Sequence, residues 1–234
     1  MATSEQQPAQ PDESAEAASL GAAMQAHQQG DLAAANRLYS EAVRLNPDNA
    51  QALRLQGILA RETGDLDASL ELLHRAHSAA PDATAPLNEL ALSQMIAGRF
   101  PEAEVTFHQA LKLNPHDGTT LTNLGALLQH RGHIRTAIDC YETLLQQRPE
   151  DIEVSCNLAK ALVDAGEPET ALQTCDAAIA ASDAHPYALA TKGAVLTDLE
   201  RYTEAAGLLQ TASRQMPDDE MTFVNLALCQ DALG

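Results

Sequence analysis

Apolar residues along this chain recur three and four apart. Leu121, Leu124, Leu127 and Leu128 show the pattern, and that spacing puts them on one face of a helix. Gly132 follows, where a helix can end because a residue without a Cβ takes the left-handed conformation of a C-cap. Ile134, Ala137, Ile138 and Tyr141 then mark a second helical face, and Pro149 stops it. The stretch 118–151 therefore predicts two helices joined by a tight turn.

This arrangement repeats every 34 residues. Pro47, Pro81, Pro115 and Pro149 stand 34 apart; Asp183 takes the next place and Pro217 the one after. Gly30, Gly64, Gly98, Gly132 and Gly166 run 17 residues ahead of that series, with Glu200 at the sixth place. One ladder holds only small residues: Ala23, Gly57, Ala91, Gly125, Ala159, Gly193 and Ala227. Another is Ala35, Ser69, Ala103, Ala137, Ala171 and Ala205; a third is Ala42, Ala76, Ala110, Leu144, Ala178 and Ala212. Between them runs a ladder of mostly large residues: Tyr39, Leu73, Phe107, Tyr141, Cys175 and Leu209. No insertion breaks the register from residue 16 to residue 219, which makes six units. Pro101 and Pro168 fall where second helices begin and Pro186 where a first helix begins, places that tolerate a missing N–H.

Two helices approach closely only where facing side chains are small, and a large residue fills the gap beside them. One such hairpin cannot bury its apolar face alone, so neighbours must stack on it. Leucine in place of Gly125 or Ala137 should cost ~1–3 kcal/mol through overpacking.

A 34-residue helix–turn–helix with small residues at places 8, 20 and 27, an aromatic or Leu at 24 and Pro at 32 resembles the tetratricopeptide repeat family. The resemblance spans residues 16–234. It departs at place 4, where the family's frequent Trp is replaced by Ser19, Leu53, Leu87, Leu121, Ser155, Leu189 and Phe223. It implies an all-α, right-handed superhelical solenoid of stacked antiparallel helix hairpins. Residues 1–14, rich in Gln, Pro, Ser and Glu, read as a disordered polar arm. Residues 15–234 read as the array, with units starting at 16, 50, 84, 118, 152 and 186 and a half unit at 220–234. That last helix leaves Phe223, Leu226, Ala227, Leu228 and Leu233 apolar, so it either caps the array or once met more protein. Exposed, it predicts weak self-association.

Composition narrows the function. With 14 basic and 33 acidic residues the net charge is −19, which argues against a nucleic-acid backbone or an anionic membrane surface as partner. Aromatic residues make up 3% and Trp is absent, so the core is built from Ala and Leu. No apolar run is long enough to span a membrane, and the N-terminus lacks the features of a secretory signal. Cys140, Cys156, Cys175 and Cys229 form no CxxC and read as reduced thiols in a cytoplasmic protein. No nucleophile elbow, phosphate loop, dinucleotide fingerprint or HExxH is present. His74 with His77, and His130 with His133, lack further ligands and read as surface residues. The expectation is a non-enzyme without cofactor or bound metal.

The resemblance also implies that first helices line a concave groove, through places 2, 5, 6, 9 and 12. Its N-terminal half is mostly apolar, with Arg54, Arg61, Asn88 and Glu89 among Leu20, Met24, Leu55, Ile58, Leu92 and Met95. Its C-terminal half is more polar: Thr119, Thr122, Asn123, Asn157, Lys160, Thr191 and Asn225. Asn123, Asn157 and Asn225 share place 6, and an Asn side chain can pair with both groups of an extended peptide bond. This is similar to the asparagine ladder of O-linked N-acetylglucosamine transferases, here interrupted by Thr191, Glu89 and Leu55. The family's two-carboxylate clamp finds no matching frame. Asn123, Asn157, Asn225, Asn88, Thr122, Lys160 and Arg54 are therefore the candidate partner-binding residues. The expected function is a scaffold that binds a neutral or basic protein or peptide in its groove. The alternative is the recognition arm of a larger enzyme, a glycosyltransferase or a 2-oxoglutarate/iron oxygenase, with its catalytic part beyond Gly234.

Overall fold

The computed structural model describes residues 13–234, so residues 1–12 of the predicted arm lie outside the described residues. Among the described residues every regular element is a helix. The hairpins α1 (Glu13–Gln28) with α2 (Leu32–Leu45), α3 (Ala50–Glu62) with α4 (Leu66–Ala79), and α5 (Thr84–Ile96) with α6 (Phe100–Leu113) form a compact unit that runs to Pro115. A second unit, His116–Gly234, holds α7 (Gly118–His130) with α8 (Ile134–Gln147), α9 (Ile152–Asp164) with α10 (Pro168–Ala181), α11 (Pro186–Asp198) with α12 (Tyr202–Gln215), and α13 (Glu220–Leu233). Within each unit the second helix of a hairpin packs on the first helix of the next. First helices also touch one another, α3 with α5 in the first unit, and α7, α9, α11 and α13 in series in the second. The expected all-α solenoid of stacked hairpins is what the chain forms. No helix among the described residues is long and apolar enough to cross a membrane.

The turns follow from local chemistry. Gly30, Gly64, Gly98, Gly132 and Gly166 all take positive φ, between 72° and 86°. At the fifth turn Gly166 donates to Val163 O at 2.9 Å and Glu167 to Leu162 O at 2.8 Å, which satisfies carbonyls at the helix end. Glu200 replaces glycine at the sixth turn, yet it holds φ 58° and the same two bonds form, Glu200 to Thr197 O at 3.0 Å and Arg201 to Leu196 O at 2.9 Å. Proline is missing after α10; there Asp183 and Ala184 turn the chain at φ 48° and 63°. Starts are set by acceptors the periodicity does not reveal. Asp31, Asn49, Asp65, Asp117, Asp151 and Asp219 each accept the N–H three residues on, the N-cap bond.

Packing follows the ladders. A Cβ added to Gly57 would lie 2.7 Å from Leu73 Cγ, one on Gly125 2.7 Å from Tyr141 Cε1, and one on Gly193 2.6 Å from Leu209 Cγ. The small place on the first helix is therefore the seat of the large residue on the second. Glu16 of α1 is buried and ties down the link between hairpins, accepting from Asn46 Nδ2 at 3.0 Å and from Asn49 Nδ2.

All four cysteines are free and buried. Burial pushes the Cys140 thiol up to about 11 and Cys175 to about 12, and raises Cys156. Thiolate is the reactive form, so the folded protein should react slowly with a thiol reagent at pH 8 and release all four thiols on unfolding. One fast-reacting thiol in the native protein would contradict this burial. Stability should also fall as pH rises above about 9, because in the unfolded chain Cys140, Cys156 and Cys175 ionise there, while in the folded protein burial raises all three.

Candidate functional site

The second unit carries five of the seven predicted residues on its first helices. Thr122 and Asn123 lie on α7, half-buried, and line an open hollow of about 240 Å³ with Thr119, Arg148 and Glu153. Asn157, also half-buried, lies on the adjacent α9, as does the exposed Lys160. Asn225 is half-buried on α13, one first helix beyond α11. Thr191, between Asn157 and Asn225 in the ladder, is 3% exposed and donates its hydroxyl to Tyr187 O at 2.9 Å, so it is spent within its own helix. Asn123, Asn157 and Asn225 have no side-chain hydrogen bond among the described residues.

Lys160 is held rather than free to swing. Its Nζ donates to the Tyr187 hydroxyl at 2.8 Å and lies 4.9 Å from the centroid of the same ring. A cation this close to an aromatic face is attracted by the ring's quadrupole. The two residues are 27 positions apart, and periodicity alone does not show that they meet.

The first unit treats its predicted residues differently. Asn88 is only 5% exposed and already has a partner within the chain. The reason is packing: α5 is covered by α3, α4 and α6. Arg54 is not free either. Its Nη1 lies 3.9 Å from Glu89 Oε1, while Arg61 Nη2 lies 2.8 Å from Glu89 Oε2. Arg61 Nη1 also donates to Glu89 O at 3.2 Å and to Ser93 Oγ at 3.4 Å, and Ser93 in turn meets Ser69 Oγ at 2.9 Å. Arg54 and Arg61 of α3 thus share the one carboxylate of Glu89, a cluster that couples α3 to α5.

No group of three or more metal-ligating side chains occurs among the described residues.

Family models for the tetratricopeptide repeat match residues 20–84 and 94–161. The model for subunit 3 of the anaphase-promoting complex, or cyclosome, matches residues 130–212. The chain belongs to the tetratricopeptide repeat family. No curated protein matches the sequence. Among solved structures, PilW, a type IV pilus biogenesis factor, superposes with a TM-score of 0.76 at 18% identity, over 90% of this chain and 98% of that one. PilF of Pseudomonas aeruginosa gives 0.73 at 18% identity, over 92% and 98%. YrrB, described as a repeat protein of this kind with an unusual peptide-binding site, gives 0.58 at 18% identity, over 79% and 95%. At that identity the likeness is one of fold.

Proposed function

We propose that this protein is a non-catalytic interaction module whose first-helix face in the second unit holds an extended or helical segment of a partner polypeptide. The observation that carries this reading is the set of Asn123, Asn157 and Asn225. Each is half-buried, each stands at the same place of its repeat, and none has a side-chain hydrogen bond among the described residues. Partly desolvated amides without partners are poised to pair with a peptide backbone. The net charge of −19 would favour partners of neutral or basic overall charge, with association slowed by salt. The four buried free thiols fit a reducing compartment such as the cytoplasm.

The test is affinity capture from native lysate, read by mass spectrometry, with the wild type beside Asn123→Ala/Asn157→Ala. Each lost pair of hydrogen bonds should cost roughly 1–3 kcal/mol, and ~1.4 kcal/mol is tenfold in affinity. The captured partner should therefore be lost from the double variant. Equal capture by both proteins would place binding elsewhere and end this reading.

A further inference from the structure

On α11, Ala190 and Ala194 stand at repeat places where both neighbouring first helices carry larger residues. Place 5 is Cys156 on α9 and Val224 on α13; place 9 is Lys160 on α9 and Leu228 on α13. Two alanines between larger neighbours leave a hollow of about 100 Å³, walled by Tyr187, Lys160, Met221 and Asn225. It is mostly apolar, and the apolar surface continues beyond it. Met221, Val224 and Leu228 are 65%, 52% and 53% exposed, and their spacing of three and four places them on one face of α13.

Charge at the rim is unbalanced. Lys192, Arg135 and Arg201 of the same unit are paired with Asp176, Glu167 and Glu204. Lys160 instead meets only a neutral phenol and its ring, with no carboxylate partner among the described residues. Asp219, the other charged residue lining the hollow, is occupied as the cap of α13: it accepts from Thr222 N at 3.2 Å and from the Thr222 hydroxyl. The hollow therefore offers an apolar seat beside one positioned ammonium that no carboxylate contacts among the described residues.

We propose that this hollow is an anchor pocket for a partner segment in which an aliphatic or aromatic side chain stands beside an acidic one. The apolar side chain fills the space over Ala190 and Ala194, and the carboxylate meets Lys160. This rests on the reading of the first-helix face as the peptide-binding surface. A single acidic residue at this point is compatible with a partner segment that is neutral or basic as a whole, since Lys160 acts at contact distance and the net charge acts at long range.

The probe is a phage-displayed library of random short peptides selected on the full chain, followed by fluorescence polarisation with synthetic copies of the enriched sequences. Enriched peptides should pair Leu, Ile, Met or Phe with a neighbouring Asp or Glu. Ala194→Arg, which fills the hollow, should weaken them at least about tenfold. Lys160→Glu should reverse the selected charge to Lys or Arg, an outcome that a purely structural role for Lys160 would not produce. Thermal melts by circular dichroism check that both variants fold. Enriched peptides without the acidic residue, or bound alike by wild type and both variants, would overturn the proposal. If those peptides are instead lost on Asn123→Ala, peptide binding stands and the anchor pocket falls. If no peptide is enriched, both fall. A wild-type dimer in sedimentation that Met221→Asp dissolves, with no competition by peptide, would assign the hollow to a second copy of this chain and likewise overturn it.

Discussion

Gly125→Leu should lower the melting temperature by several degrees. A Cβ at Gly125 would lie 2.7 Å from Tyr141 Cε1 and 2.8 Å from Cζ, nearer than nonbonded carbon atoms can stand. The ring has little room to retreat, because Tyr141 is 1% exposed. Leucine is the better helix former by about 1 kcal/mol. Against this, overpacking costs about 1–3 kcal/mol for smaller intrusions, and a whole isobutyl group belongs at or above the top of that range. The loss wins by ~2 kcal/mol or more. For a chain of this size each kcal/mol moves the midpoint by roughly 2–4 °C. Gly125→Ala brings the same Cβ against the ring but nothing beyond it, so it should cost less than Gly125→Leu. Thermal melting of the two variants followed at a helical wavelength decides it. An unchanged midpoint for Gly125→Leu would contradict the seat of Tyr141.

The second large effect is expected at Glu89. Glu89→Ala leaves Arg61 without its carboxylate at 2.8 Å and Arg54 without its neighbour at 3.9 Å, in a place where the three side chains are only 15–27% exposed. Removing one partner of a buried ion pair costs about 3–5 kcal/mol, and the two arginines left together then repel. Residual solvent screening reduces this, so the expected loss is ~2 kcal/mol. Glu89→Gln keeps an acceptor of nearly the same shape and should lose less. Denaturant titration of wild type and both variants tests the ordering. A Gln variant as destabilised as the Ala variant would show that charge, not shape, holds the cluster. Equal stability of all three would show that α3 and α5 are held by apolar packing alone.

Much of the fold is legible in the sequence because its instructions are local and repeated. The glycines that end first helices, the prolines that start or stop helices, and the alternation of small and large places all act within one hairpin. Thirty-four-residue periodicity then lets each copy support the others. Two features escaped that logic for physical reasons. Glu200 occupies a left-handed turn without being glycine, because the bonds to Thr197 and Leu196 and the packing of α11 on α12 hold it there. The aspartate and asparagine N-caps stand just before six of the helices, but they lie outside the apolar period that identified those helices.

The candidate site divides the same way. Sequence by itself determined the repeat register, and the family resemblance then implied which places of each first helix face inward. Tertiary structure alone decided which of them are available. Asn88 is buried and partnered within the chain, Arg54 shares Glu89 with Arg61, and Lys160 rests on Tyr187, whereas Asn123, Asn157 and Asn225 keep their amides free of partners among the described residues. Those pairings join residues on successive first helices. They depend on the offset and rotation between neighbouring helices, which a repeat period, however regular, does not specify.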